Sequence, residues 1–168
     1  MIRTILALSL LALSPVGGWM SQAESGTATT NRKAGVTMHA TGTFVVKITP
    51  AEASAIGLQA GIGRMTIDKS FSGMLEGTSR GEMLTAGTEA TGAGAYVALE
   101  RITGTIDGHK GGFLLIHDGT MLKNSQGAWH VVIVPHSGTG ELAGIAGKMT
   151  IVIEGGKHSF DLEYELQQ

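Results

Sequence analysis

Apolar and polar residues alternate along most of the chain after residue 35, with the two-residue period of half-buried β-strands. The clearest alternation is near the C-terminus. There the apolar positions are Met149, Ile151 and Ile153 in one segment and Phe160, Leu162, Tyr164 and Leu166 in the next. Gly155 and Gly156 between them favour a two-residue turn, because both central positions of such turns can take positive φ. The pattern predicts an antiparallel strand pair.

Eight segments have this strand character, and clusters of Gly, Ser or Asn separate them. They are VTMHATGTFVVKIT, IGRMTIDKSF, MLEGTSRGEML, AYVALERITGTI, GGFLLIHDGTML, WHVVIVP, KMTIVIE and HSFDLEYEL. Many strands with regular turn signals are typical of sandwiches and barrels. Residues 50–60, PAEASAIGLQA, instead combine helix formers with a starting proline, which favours a short helix or a structured loop.

The central segments have mixed faces. In MLEGTSRGEML neither alternate set of residues is cleanly apolar, and in GGFLLIHDGTML both sets carry bulky apolar side chains. Such strands indicate either a partly polar barrel lumen or a contact between subunits.

The stretch HSGTGELAGIAGKM, residues 136–149, contains the spelling G-x-G-x-x-A of a dinucleotide-binding turn. That turn must open into a helix whose N-terminus holds the phosphates. Here only residues 141–146 separate Gly140 from Gly147 and the next strand, so no helix of useful length fits. The sequence therefore predicts a glycine-rich connection between strands and no nucleotide site.

The first 23 residues predict a signal peptide. Arg3 supplies a positive start, residues 5–13 an apolar core, and Ser21-Gln22-Ala23 a small-x-small cleavage site. Pro15 and the following glycines interrupt the apolar run well before the ~20 residues that span a bilayer. Residues 24–35 predict a flexible leader and residues 36–168 one domain. We expect export to the periplasm or the medium, with no membrane attachment after cleavage near Ala23.

Composition excludes several classes of function. The 12 Lys and Arg against 14 Asp and Glu leave no electrostatic footprint for nucleic acid. With no cysteine, thiol catalysis and thiolate metal sites are excluded. The six histidines show no H-x-H or H-E-x-x-H spacing. We therefore predict no metal site and no cofactor.

Several runs resemble a known family and keep its motif order over residues 38–166. They are MHATGTFVVKITP, FSGMLEG, VALERITGTIDG, GGFLLIHDGTM, VPHSGTGELAGIAGKMTI and GKHSFDLEYEL. Together they resemble the bacterial domain family of unknown function DUF3224. The resemblance implies an all-β fold, an eight-stranded antiparallel β-barrel similar to allene oxide cyclase. It implies no activity, because the family has none established.

Glu100 is the first candidate site residue. If it enters the barrel with Tyr96, Ala98 and Ile102, burial should raise its pKa and make it a candidate acid or base. The alternative is an outward side chain in a cross-strand ion pair.

Glu76 and His117 are the other candidates. Glu76 alternates with Thr78 and Glu82, which could place two carboxylates in one lumen, or else on a solvated face. His117 shares a face with Phe113, which suits a buried histidine that is either hydrogen-bonded core or catalyst.

Three functions remain open at this point. The first is a barrel that binds a small apolar or amphipathic molecule, with Tyr96, Glu100, Phe113 and His117 as ligand-binding candidates. The second is an isomerase or cyclase resembling allene oxide cyclase, with Glu100, Glu76 or His117 as candidate catalytic residues. The third is a homo-oligomeric structural or interaction module.

Overall fold

The computed structural model of the chain describes residues 36–88, 91–122 and 128–166, and the predicted signal peptide and leader lie outside them. Nine strands and one helix occur in this part of the chain. In chain order they are β1 Met38–Ala51, α1 Ala55–Gln59, β2 Gly63–Gly73, β3 Leu75–Thr88, β4 Ala93–Ile106, β5 His109–Met121, β6 Ala128–Ile133, β7 Thr139–Gly140, β8 Ile145–Glu154 and β9 Lys157–Leu166.

Eight of the strands close into a barrel. Around the wall the order is β1, β2, β3, β4, β5, β6, β8 and β9, and β9 pairs with β1 to complete the circle. Every neighbouring pair is antiparallel. The two-residue strand β7 pairs with the start of β5, on the same edge of β5 that β6 joins further along. The predicted all-β fold with an eight-stranded antiparallel barrel is confirmed.

The predicted pair at the C-terminal end is confirmed as β8 and β9. Met149 lies opposite Leu162 and Ile151 opposite Phe160, so the apolar sets of both strands face the interior. Gly155 and Gly156 form the turn with φ values of 56° and 77°, which glycine adopts without a Cβ clash.

The connection at residues 136–149 contains β7, a turn and the start of β8, and no helix lies within it. The predicted strand connection is therefore confirmed. Leu142 in the turn is 1% exposed and packs in the main core cluster with Ile145. The turn serves as a plug for one end of the barrel.

Helix α1 lies within the segment for which a short helix or loop is predicted. Ser54 caps it, because its hydroxyl accepts a hydrogen bond from the backbone N–H of Gly57 at 3.0 Å. The helix joins β1 to β2 at the end of the barrel opposite Leu142, since β1 runs away from the end where β9 finishes.

Side-chain packing in the interior differs between the two ends of the barrel. Fully buried apolar side chains fill the end near Leu142: Leu75, Ile102, Ile106, Phe113 and Ile145. The end near α1 is lined by side chains of similar apolar character that leave a cavity between them. The barrel therefore combines a solid half, which supplies the hydrophobic core, with a hollow half.

Candidate functional site

The hollow half contains a cavity of about 340 Å³. Its lining is mostly apolar and comes from β1, β2, β3, β4, β5, β6, β8 and β9. The residues are Phe44, Val46, Ile48, Met65, Ile67, Lys69, Met83, Thr85, Tyr96, His117, Met121, Trp129, Ile151, Ile153 and His158. Ile48, Met121 and Ile153 are 48%, 40% and 43% exposed, so the cavity opens to solvent at this end.

Polar side chains form one layer at the boundary between the solid and hollow halves. They are Lys69 on β2, Ser79 on β3, Glu100 on β4 and His117 on β5, one from each of four consecutive strands. All four are less than a tenth exposed. Lys, Glu and His are seldom buried this deeply unless they are paired, so this layer is the unusual feature of the interior.

Glu100 is the centre of the layer. Its Oε2 accepts a hydrogen bond from Lys69 Nζ at 2.7 Å, and its Oε1 accepts one from the Ser79 hydroxyl. Lys69 Nζ also lies 4.9 Å from the centre of the Phe44 ring, within the range of a cation–π contact. The carboxylate is therefore satisfied on both oxygens by donors from neighbouring strands.

These partners determine the ionisation of Glu100, and the predicted rise in its pKa is wrong. Burial by itself does raise the pKa of Glu100, but the nearby imidazole of His117, the Lys69 ammonium and the Ser79 hydroxyl outweigh it. Together they lower the pKa from 4.5 to about 2. Glu100 is thus an ionised, buried carboxylate at neutral pH, with no proton to donate.

His117 lies between this carboxylate and the cavity wall. Its Nδ1 is 3.4 Å from the hydroxyl oxygen of Tyr96, and the two rings meet edge to face. Its Nε2 is 3.2 Å from Glu100 Oε2, close enough for a hydrogen bond. The contact lacks hydrogen-bond geometry, however, and Nε2 has no hydrogen-bond partner among the residues that the structure describes.

The rings of Tyr96 and Trp129 lie on the cavity side of the polar layer. Gly119 leaves the space that they occupy. Gly119 on β5 lies opposite Tyr96 on β4 and Trp129 on β6. A Cβ at Gly119 would lie 2.7 Å from each of the two rings. Burial raises the pKa of Tyr96, and Asp118 and Glu100 add to the rise, so its hydroxyl stays protonated.

The structure brings three of the predicted site residues together. Glu100 points inward rather than into the outward ion pair of the alternative interpretation, and His117 and Tyr96 lie within contact distance of one another beside it. Phe113 is in the interior but in the solid half, fully buried and away from the cavity lining.

Of the two positions that the sequence left open for Glu76, the lumen and a solvated face, the structure shows the solvated face. Glu76 is exposed on the outer face of β3, as is Glu82, which pairs with Arg64. The inward positions of β3 are instead Leu75, Ser79 and Met83. The two carboxylates are not in the lumen, because the uncharged set of alternate residues on this strand, rather than the charged set, faces the interior.

Sequence reasoning missed Lys69, Ser79 and Trp129. For Lys69 a signal was present, since it alternates with Ile67 and Phe71 on the apolar face of β2. A lysine in such a set indicates a buried partner of opposite charge. Ser79 and Trp129 carry no comparable signal, because a small or aromatic residue suits either face of a strand.

The described residues contain neither a metal-ligand cluster nor a membrane-spanning helix. No group of three or more His, Asp or Glu side chains is arranged there to hold a metal ion. In the same ranges, no helix combines the length and apolar character that a bilayer span requires.

Comparison with known proteins identifies the family of this chain. The family model described as "Protein of unknown function (DUF3224)" matches residues 40–164. A crystal structure of a protein with unknown function from the DUF3224 family of Shewanella oneidensis MR-1 is similar, with a TM-score of 0.71 and 42% identity. The match covers 79% of this chain and 99% of that one. No curated protein matches. The likeness to allene oxide cyclase stays a prediction.

Proposed function

The chain belongs to the DUF3224 family, and we propose that it is an exported binding protein whose barrel holds a small apolar or amphipathic molecule. The observation that carries this proposal is the solvent-open cavity in one half of the barrel. Export rests on the signal-peptide pattern of residues 1–23.

The size and lining of the cavity support a ligand of modest size. A buried apolar cavity of ~150 Å³ is large enough to bind benzene. A cavity of about 340 Å³ suits a molecule with roughly two to three times as many non-hydrogen atoms. The apolar walls favour a ligand whose surface is mainly hydrocarbon, since transferring that surface from water supplies the free energy of binding.

Fluorescence titration with N-phenyl-1-naphthylamine tests this proposal, because that probe brightens in apolar surroundings. Val46 lines the cavity, whereas its neighbour Val45 points outward and is 76% exposed. We expect Val46→Trp to fill the cavity and remove probe binding. Val45→Trp adds the same bulk outside the barrel and should leave binding unchanged. Equal binding by both variants would place the probe outside the lumen and refute the proposal.

An isomerase or cyclase is a second candidate, and the contact between His117 and Tyr96 favours it. The two side chains could move a proton at the floor of an apolar cavity. Glu100 is less suited to this role than the sequence suggested, because its low pKa makes it a poor acid and a weak base. Turnover of a bound metabolite that is lost in His117→Phe would support catalysis, and binding without turnover would oppose it.

Self-association through the barrel wall is a third candidate. On the outer face, Leu99 lies opposite Ile116, and Ile116 opposite Val132, in one row across β4, β5 and β6. Leu99 and Ile116 are 54% and 37% exposed. Light scattering of the wild type and of Leu99→Lys tests this candidate. A wild-type monomer would rule it out.

A further inference from the structure

We propose that the molecule bound in the barrel carries an uncharged carbonyl oxygen at its inner end, and that Lys69 holds this oxygen. The inference rests on the proposed binding function and names the chemical class of its ligand. It follows from the donors and acceptors at the floor of the cavity.

Unused hydrogen-bond donors remain at this floor. The Lys69 ammonium has three N–H groups, and only the bond to Glu100 is formed with any described residue. Lys69 lines the cavity with its side chain 6% exposed. His117 also lines the cavity, but its buried Nε2 lies 3.2 Å from Glu100 Oε2 and faces that carboxylate. Buried polar groups are normally satisfied, so an oxygen acceptor from a ligand would complete this layer.

The carboxylate acceptors at the floor are, by contrast, out of reach of a ligand, because Glu100 is fully buried and does not line the cavity. Both oxygens of Glu100 receive hydrogen bonds, one from Lys69 and one from Ser79. A ligand that ends in an amine would need a free acceptor here and would bring a positive charge next to Lys69. The floor therefore discriminates against ammonium ends.

The balance of charge favours a neutral carbonyl over a carboxylate. Lys69 and the ionised Glu100 contribute opposite unit charges 2.7 Å apart, so this pair adds no net charge to the floor. A ligand carboxylate would gain attraction from Lys69 but meet repulsion from Glu100 at similar distance. It would also lose its hydration, which a ketone or ester oxygen loses at much lower cost.

The apolar mouth sets the orientation of the ligand. Ile48, Met121 and Ile153 surround the opening, and the polar layer lies at the inner end. A hydrocarbon tail therefore packs against the walls and mouth while the carbonyl end reaches the floor. The ligand class is an aliphatic or aromatic ketone, aldehyde or ester.

A pair of ligands of the same shape tests the carbonyl contact. These are 2-nonanone and 2-methyl-1-nonene, in which a CH₂ group replaces the ketone oxygen. Displacement of N-phenyl-1-naphthylamine gives the affinity of each for the wild type and for the charge-free variant Lys69→Met/Glu100→Gln. We expect the preference for ketone over alkene to fall about tenfold in the variant, the size of effect expected when a hydrogen bond to a charged donor is lost.

Infrared spectroscopy of the bound ketone gives a second readout. The C=O stretch should move to lower frequency in the wild type than in the double variant, because hydrogen bonding weakens the carbonyl bond. In His117→Phe the shift should remain, since Lys69 is still present. Circular dichroism of each variant confirms that it is folded before the ligands are compared.

The outcomes separate this inference from the proposed function. If the probe binds but the wild type and the double variant show the same preference for ketone over alkene, the inference is wrong and lumen binding stands. The inference is also wrong if nonylamine or nonanoate at about pH 8 displaces the probe better than 2-nonanone does. Failure of the probe to bind at all would overturn the proposed function itself.

Discussion

Lys69 Nζ lies 2.7 Å from Glu100 Oε2 inside the barrel, with side-chain exposures of 6% and 0%. The two residues belong to β2 and β4, which both pair with β3 but not with each other. Ser79, on the strand between them, donates a hydrogen bond to the other oxygen of Glu100. The contact between Lys69 and Glu100 places a pair of charges in a mainly apolar interior, and its contribution to stability can be measured.

Removing one partner of this ion pair should lower the free energy of unfolding substantially. In Glu100→Gln the Lys69 ammonium stays buried without its counter-charge, and we expect a loss of about 3 to 5 kcal/mol in the free energy of unfolding. In Lys69→Met/Glu100→Gln neither charge remains, so the loss should be much smaller. Urea denaturation measures both. As a control, Glu76→Gln on the outer face should change stability by less than about 0.5 kcal/mol. A double variant no more stable than Glu100→Gln would contradict this account.

The low pKa of Glu100 makes stability depend on pH in acid. Its folded-state pKa of about 2 lies below the ordinary value of 4.5, so the unfolded chain binds the proton more readily than the folded one. The stabilisation is complete above about pH 4.5 and is lost as the pH falls towards 2. On the order of 3 kcal/mol is involved.

Denaturation of the wild type and of Lys69→Met/Glu100→Gln at several pH values checks this dependence. We expect the wild type to lose more stability than the variant between about pH 5 and about pH 3. Parallel curves for the two proteins would show that Glu100 does not carry the effect.

Two glycines should respond differently to alanine. A Cβ at Gly104 on β4 would lie 2.2 Å from the carbonyl oxygen of Glu76 on β3, so the strands would have to separate. At Gly61 nothing lies within 4 Å of a Cβ, and only the positive φ of 67° is unfavourable. We expect Gly61→Ala to cost about 1 kcal/mol and Gly104→Ala more than about 2 kcal/mol. Thermal unfolding that ranked them in the opposite order would argue against this close approach of β3 and β4.

The proposed export predicts that the mature protein begins at one defined residue. Intact-mass measurement of the protein from the extracytoplasmic fraction should give a chain that begins at Glu24, because cleavage follows Ser21-Gln22-Ala23. Ala23→Tyr should block processing and leave the longer chain in the membrane fraction. Full-length protein in the cytoplasm of wild-type cells would oppose export.

Local patterns in the sequence were enough to predict the strands. Alternation placed Ile151 and Phe160 on the inner face correctly, and the glycine pair at residues 155 and 156 identified the hairpin between them. These features depend on neighbours along the chain, since the period of a strand is a property of its own backbone. The same rule was ambiguous for β3, where neither set of side chains is clearly apolar and both the lumen and a solvated face stayed open for Glu76.

The site depended on contacts between strands that are distant in sequence. Alternation could predict that His117 is buried, yet its neighbours Tyr96 and Glu100 follow from the register of β4 with β5. The pKa of Glu100 was predicted in the wrong direction because the sequence did not show that Lys69 and Ser79 would meet it.

By itself, then, the sequence determined an all-β chain, its turns and most of its inward-facing residues, because each is encoded by spacing within one segment. Only the tertiary structure decided that the barrel is solid near Phe113 and hollow near Val46, and that four strands each contribute one polar side chain to the boundary. The volume left inside a closed barrel depends on how side chains from all its strands fit together, and no single segment carries that information.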